Sequence, residues 1–177
     1  MSAFLWVIAA VLSRVLPHPW LNFTAVGAGL LYFGAKRSLR WIFVPVLALA
    51  ATDYYLTVFA YNYPFHVDAY LVTWGWYAAV VVLGFLLLRN KITVARVGTG
   101  AVLAPTSFFL VSNFAVWSES MMYPHTFAGL MTCYAAGLPF YQNDLLSTAV
   151  FCGLAFGLPA LARKMAEQRH AGEHAAL

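Results

Sequence analysis

Asp53 is the residue whose position most demands a chemical explanation. It stands about two-thirds of the way along the apolar run at 41–60, below the level expected for a membrane interface. An ionised carboxylate there costs several kcal/mol unless it faces the inside of a bundle and is paired, which makes it a functional candidate by default. Arg14, near the end of the first apolar run, is its natural partner. An Arg14–Asp53 ion pair would tie two helices whether or not it also binds a ligand. Asn113 repeats the case in milder form, since its amide needs partners inside the bundle and Thr106, Ser107 and Ser112 lie on the same run.

From Asn113 to Asp144 the chain reads NFAVWSESMMYPHTFAGLMTCYAAGLPFYQND, with Trp117, Glu119, Tyr123, His125, Tyr134, Tyr141, Gln142 and Asn143 among its residues. A polar, aromatic belt between two lipid-soluble runs is either a lid over a small-molecule site or an interfacial cap. The expected ligand-binding set is Asp53, Tyr54, His66, Trp74, Asn113, Trp117, Tyr123, His125 and Asn143. Aromatic rings would stack on a flat ligand while Asn and Asp groups fix its orientation. The competing reading is an aromatic belt with wetted loops.

Much enzyme and cofactor chemistry has no foothold. There is no phosphate-binding glycine loop, no H-E-x-x-H, no G-x-S-x-G and no mid-span lysine for a Schiff base. Cys133 and Cys152 lack paired spacing and read as small core residues. His18, His66 and His125 fall in loops on one side, which leaves a metal site open without pointing to one. No catalytic activity, no metal and no particular cofactor is expected.

The elements that must position these groups are helices. The chain is 63% hydrophobic and only 9% charged, whereas soluble proteins carry roughly a quarter charged residues. Its apolar runs are continuous rather than alternating, so the fold class is all-α: an integral membrane bundle of about six transmembrane helices. Spans are expected near 3–16, 23–35, 41–60, 69–88, 97–117 and 144–162. A break at Pro17-His18-Pro19 leaves five crossings as the alternative. One transmembrane domain covers 1–162, followed by a short cytoplasmic tail at 163–177. The N-terminal run lacks a basic leader region and reads as a retained helix.

Charge sets the orientation. Lys36, Arg37, Arg40, Arg89, Lys91, Arg96, Arg163, Lys164 and Arg169 all fall on one side of a six-span bundle, and Arg14 alone falls on the other. The positive-inside rule then puts both termini in the cytoplasm. A seventh crossing at 126–140 would reverse the last basic cluster. That segment is therefore expected to be a short outer interfacial helix, with Phe127, Leu130, Met131, Tyr134 and Leu138 on one face.

Small residues gather at Ala25, Gly27, Ala28 and Gly29, where another helix can approach closely. Packing within the bundle is one use of this face. Docking of a second membrane subunit is the other.

The motifs PHPWLNFTAVGA, LAATDY, SNFAVW, YPHTFAGLMTCY and AAGLPFYQND, spread over nearly the whole chain, resemble a bacterial membrane family defined only as a domain of unknown function. That family in turn looks like the substrate-binding (S) components of energy-coupling-factor (ECF) vitamin transporters. This resemblance implies a six-helix protein of the bacterial inner membrane with an outward-facing cavity for a vitamin or metal-cofactor species. It also implies a transmembrane coupling protein with ATPases as partner. A cavity cysteine expected of the cobalamin-binding branch has only Cys133 as a loose counterpart. The expected function is thus a small-molecule-binding subunit of an importer; the alternative is a structural or accessory subunit of a larger membrane complex.

Overall fold

The computed structural model describes residues 1–16, 19 and 22–175, with side chains through Gln168, and its elements are all helical. Helix α1 spans Ser2–Val15 and α2 spans Val26–Lys36, followed by a short turn at Leu39–Trp41. Helix α3 spans Phe43–Tyr55 and runs into a π-helical turn at Leu56–Ala60. Then come α4 (Asp68–Leu88), α5 (Val94–Glu119) and α6 (Phe127–Cys152). A second π-helical turn, Gly153–Gly157, joins α6 to α7 (Leu158–Ala175).

Among the described residues, four helical stretches are long and apolar enough to cross a membrane: Leu39–Ala60, Asp68–Leu88, Val94–Glu119 and Phe127–Gln168. The expected count of six is corrected to four. At 1.5 Å per residue, α1 reaches about 21 Å and α2 about 16 Å, short of a hydrocarbon core of about 30 Å. Their apolarity has a different cause. Every residue of α2 from 26 to 35 is buried, so it is the central post of the bundle, wrapped by α1, α4, α5 and α6.

Close approach makes this possible. A Cβ on Gly34 would meet the Val81 carbonyl, and one on Gly84 would meet the Leu31 carbonyl, so α2 and α4 touch backbone to backbone. Small residues at such contacts are how membrane helices gain packing without a hydrophobic drive between them. Phe33, Leu30, Leu31, Val80, Val81 and Leu88 fill the surrounding core.

The expected interfacial helix at 126–140 and the expected separate span at 144–162 are one continuous helix of 42 residues, Phe127–Gln168. Pro139 does not break it; a proline inside a membrane helix frees one carbonyl that neighbouring groups accommodate. Packing against α5 holds its N-terminal half in line. Tyr134 donates to the Leu110 carbonyl at 2.9 Å, the Tyr141 and Thr106 hydroxyls are 3.0 Å apart, and the Phe109 and Tyr141 rings lie 4.8 Å apart. Residues 163–175 continue the helix.

The basic clusters gather at one end. Arg89 donates to the Arg37 carbonyl at 3.1 Å, Arg96 to the Leu87 carbonyl at 3.1 Å, and the Arg37 guanidinium lies 4.6 Å over the Phe4 ring. Thr93 and Val94 share a groove with Gly157 and Ala160, so Arg163 and Lys164 project past the same end.

Candidate functional site

In the half of the bundle away from those clusters, α1, α3 and α4 meet at a buried charge pair. Arg14 Nη2 lies 2.7 Å from Asp53 Oδ1. Arg14 Nη1 donates to the Tyr77 hydroxyl at 3.0 Å, and that hydroxyl donates to the Asp53 carboxylate at 3.3–3.4 Å. Trp74 Nε1 donates to Asp53 Oδ2 at 2.9 Å. The carboxylate is thus satisfied from three sides, the condition under which a buried charge is tolerated. Local sequence makes the convergence possible. Trp74 and Tyr77 are three apart, hence neighbours on one face of α4, while the π-helical turn after Tyr55 widens α3 just beyond Asp53.

A cavity of about 220 Å³ lies beside this network, lined by Arg14, Asp53, Tyr70, Thr73, Trp76 and Tyr77 together with Asn22, Thr24, Val26, Phe108 and Asp144. Trp76 is held by its indole N–H on Ser107 Oγ at 3.0 Å and by the Phe108 ring at 4.6 Å. Toward the loop after α3, Phe65 stacks on Tyr70 at 4.9 Å and on Trp74 at 6.4 Å, making an aromatic cover. A second cavity of about 160 Å³ shares Asn22, Phe108 and Asp144 with the first and continues between α5 and α6 along Pro105, Ser112, Asn113, Gly137 and Tyr141.

Asp144 stands at the junction of the two. It is 8% exposed, and among the described residues its side chain accepts one hydrogen bond, from Thr148 Oγ1 at 3.5 Å. Among the described residues the only ion pair is Arg14–Asp53, so Asp144 has no basic partner there. On Cys133, Gly137, Asp144, Thr148 and Cys152 the buried face of α6 repeats at helical spacing, which turns this carboxylate inward.

Three of the nine expected ligand-binding residues belong to this region. Asp53 lines the larger cavity, Asn113 the smaller, and Trp74 reaches the site through the Asp53 carboxylate. Asp53 and Asn113 therefore do not share one cavity; they occupy adjoining ones. The Asn113 amide donates to the Phe109 carbonyl at 2.8 Å, and its other face abuts Gly137.

The remaining six line neither cavity. Trp117 donates to the Pro124 carbonyl at 2.9 Å and packs edge-on against the exposed His125, so both secure the turn between α5 and α6. Tyr123 is half-buried in that turn and Asn143 is half-buried beside Asp144. His66 is exposed, and Tyr54 is exposed against Phe59 and Phe65.

The four small residues expected as a docking face are interior. Ala25 and Ala28 are fully buried, a Cβ on Gly27 would lie 2.6 Å from Thr148 Oγ1, and one on Gly29 would lie 2.9 Å from the Trp6 carbonyl. The chain itself occupies this face. His18 lies outside the described residues; among those described, no group of three His, Cys, Asp or Glu side chains is placed to hold a metal ion.

Tyr70, Thr73, Trp76, Tyr77, Phe108 and Asp144 are the site residues that sequence reasoning missed. Asp144 had a signal: it falls seven residues after Gly137, on the small-residue face of a helix that is continuous through it.

No curated protein and no solved structure matches the chain. Residues 1–170 match the family model described as a family of unknown function, DUF6580, and the chain belongs to that family.

Proposed function

We propose that this protein is the small-molecule-binding membrane subunit of an importer, similar in role to the S components of ECF transporters. The observation that carries the reading is the pair of adjoining cavities among the helices, walled by aromatic rings and by charges that the bilayer would not tolerate without cause. Small-molecule sites have this make-up: a concave, mostly apolar chamber with a few convergent polar groups. Their summed volume suits a ligand of vitamin-fragment size rather than a macromolecule. With the basic end in the cytoplasm of a bacterial cell, as the positive-inside rule directs, the cavities lie in the outer half and receive ligand from outside. A transmembrane coupling protein with its ATPases is the partner this role requires.

Purification tests the reading. Extraction of the detergent-purified protein with organic solvent is expected to release a stoichiometric small molecule identifiable by mass spectrometry. An extract free of any such molecule, together with tight co-purification of non-ATPase membrane subunits, would overturn it in favour of an accessory role.

A further inference from the structure

We infer that the ligand of this site carries a positive charge, an ammonium or related organic cation, and that Asp144 is its counter-ion. The inference rests on the small-molecule reading above and names the chemical class. Of the charged groups on the larger cavity, Arg14 and Asp53 neutralise each other at 2.7 Å, and the Asp53 oxygens are further occupied by Trp74 and Tyr77. Asp144 is what remains. It is buried at the junction of both cavities with one long hydrogen bond from Thr148 and, among the described residues, no ion pair.

A carboxylate removed from water without a counter-charge is costly, and a ligand cation placed in the junction removes that cost. The surrounding rings favour the same sign. Trp76, Tyr77, Phe108 and Tyr141 line the two chambers, and the face of an aromatic ring attracts a cation and repels an anion. An anionic ligand would meet Asp144 with its own charge and find Arg14 already taken.

The test uses three probes of the same ring and chain length but different charge: 2-phenylethylamine, 2-phenylethanol and phenylacetate. Binding to the detergent-purified full chain is measured by calorimetry. The amine is expected to bind about tenfold or more tighter than the alcohol, with no measurable binding of the acid. In Asp144→Asn the amine is expected to fall to the level of the alcohol, whose own affinity stays unchanged; unaltered helical circular dichroism and melting temperature show that the fold persists. Where that variant is unstable, Asp144→Ser carries the same comparison.

Equal binding of amine and alcohol, or amine binding untouched by loss of the carboxylate, would overturn the cation inference and leave the small-molecule site standing. Absence of saturable binding by all three probes overturns it as well. The proposed function falls with it only if the solvent extract is also empty.

Discussion

Arg14 Nη2 lies 2.7 Å from Asp53 Oδ1 and joins the last turn of α1 to the last turn of α3, yet the two partners are not equally buried: the Asp53 side chain is 2% exposed and that of Arg14 is 21% exposed. The acid is the member that depends on the pair. Freed of Arg14 it stays inside with only neutral donors. Freed of Asp53, the guanidinium can reach outward to water.

Arg14→Gln is therefore expected to cost about 3–5 kcal/mol of stability and Asp53→Asn less than that. The double variant is expected to be more stable than Arg14→Gln alone, because no unpaired charge is left behind. Chemical unfolding in detergent micelles measures all three. A double variant less stable than either single one would show that the pair stabilises through something other than mutual compensation of charge.

Backbone contact between α2 and α4 gives a second prediction. Gly34→Ala places a methyl group against the Val81 carbonyl, where neither backbone can yield without separating the helices. A loss of about 1–3 kcal/mol is expected from such overpacking. Gly75→Ala on α4, the helix that carries Val81, meets nothing within 4 Å and is the control, expected to leave the melting temperature unchanged or slightly raised.

The contrast between those two glycines shows what a sequence discloses. That small residues permit close packing was legible; which helix fills the space was not, because partner choice is a property of the folded bundle. The meeting of Arg14 and Asp53 was legible because a lone acid and a lone base in apolar runs have few other ways to be satisfied. The number of spans was not, since hydropathy measures solubility in an apolar medium and α2 meets that criterion by being enclosed in protein rather than lipid. Asp144 escaped for a related reason. A polar cluster at 141–144 resembles a helix start, and only the packing of Tyr134 and Tyr141 against α5 shows that the helix has been under way since Phe127.

Asn113 supplies a third prediction. Its amide bonds its own helix at the Phe109 carbonyl and lines the smaller cavity against Gly137, so Asn113→Leu keeps the volume and removes the polar wall. Affinity for the co-purifying ligand is expected to drop by about tenfold, the worth of roughly one hydrogen bond, with melting temperature little changed. Unaltered affinity would place the ligand wholly in the larger chamber.

Orientation is open to direct measurement. Glu119→Cys, at the exposed C-terminal end of α5, is expected to react with a membrane-impermeant maleimide in intact cells, whereas Lys91→Cys is expected to react only after permeabilisation. Cys133 and Cys152 are both buried and contribute little background. The reverse labelling pattern would put the basic end outside and the cavities in the inner half.

The most direct test of the small-molecule reading is a native mass spectrum of the detergent-purified chain beside that of Thr73→Trp, a substitution that fills the larger cavity from α4. The wild type is expected to carry a discrete adduct of small-molecule mass, and the filled variant to fly at the bare polypeptide mass. Identical spectra, both bare or both carrying the same adduct, would contradict a ligand held between Asp53 and Asp144.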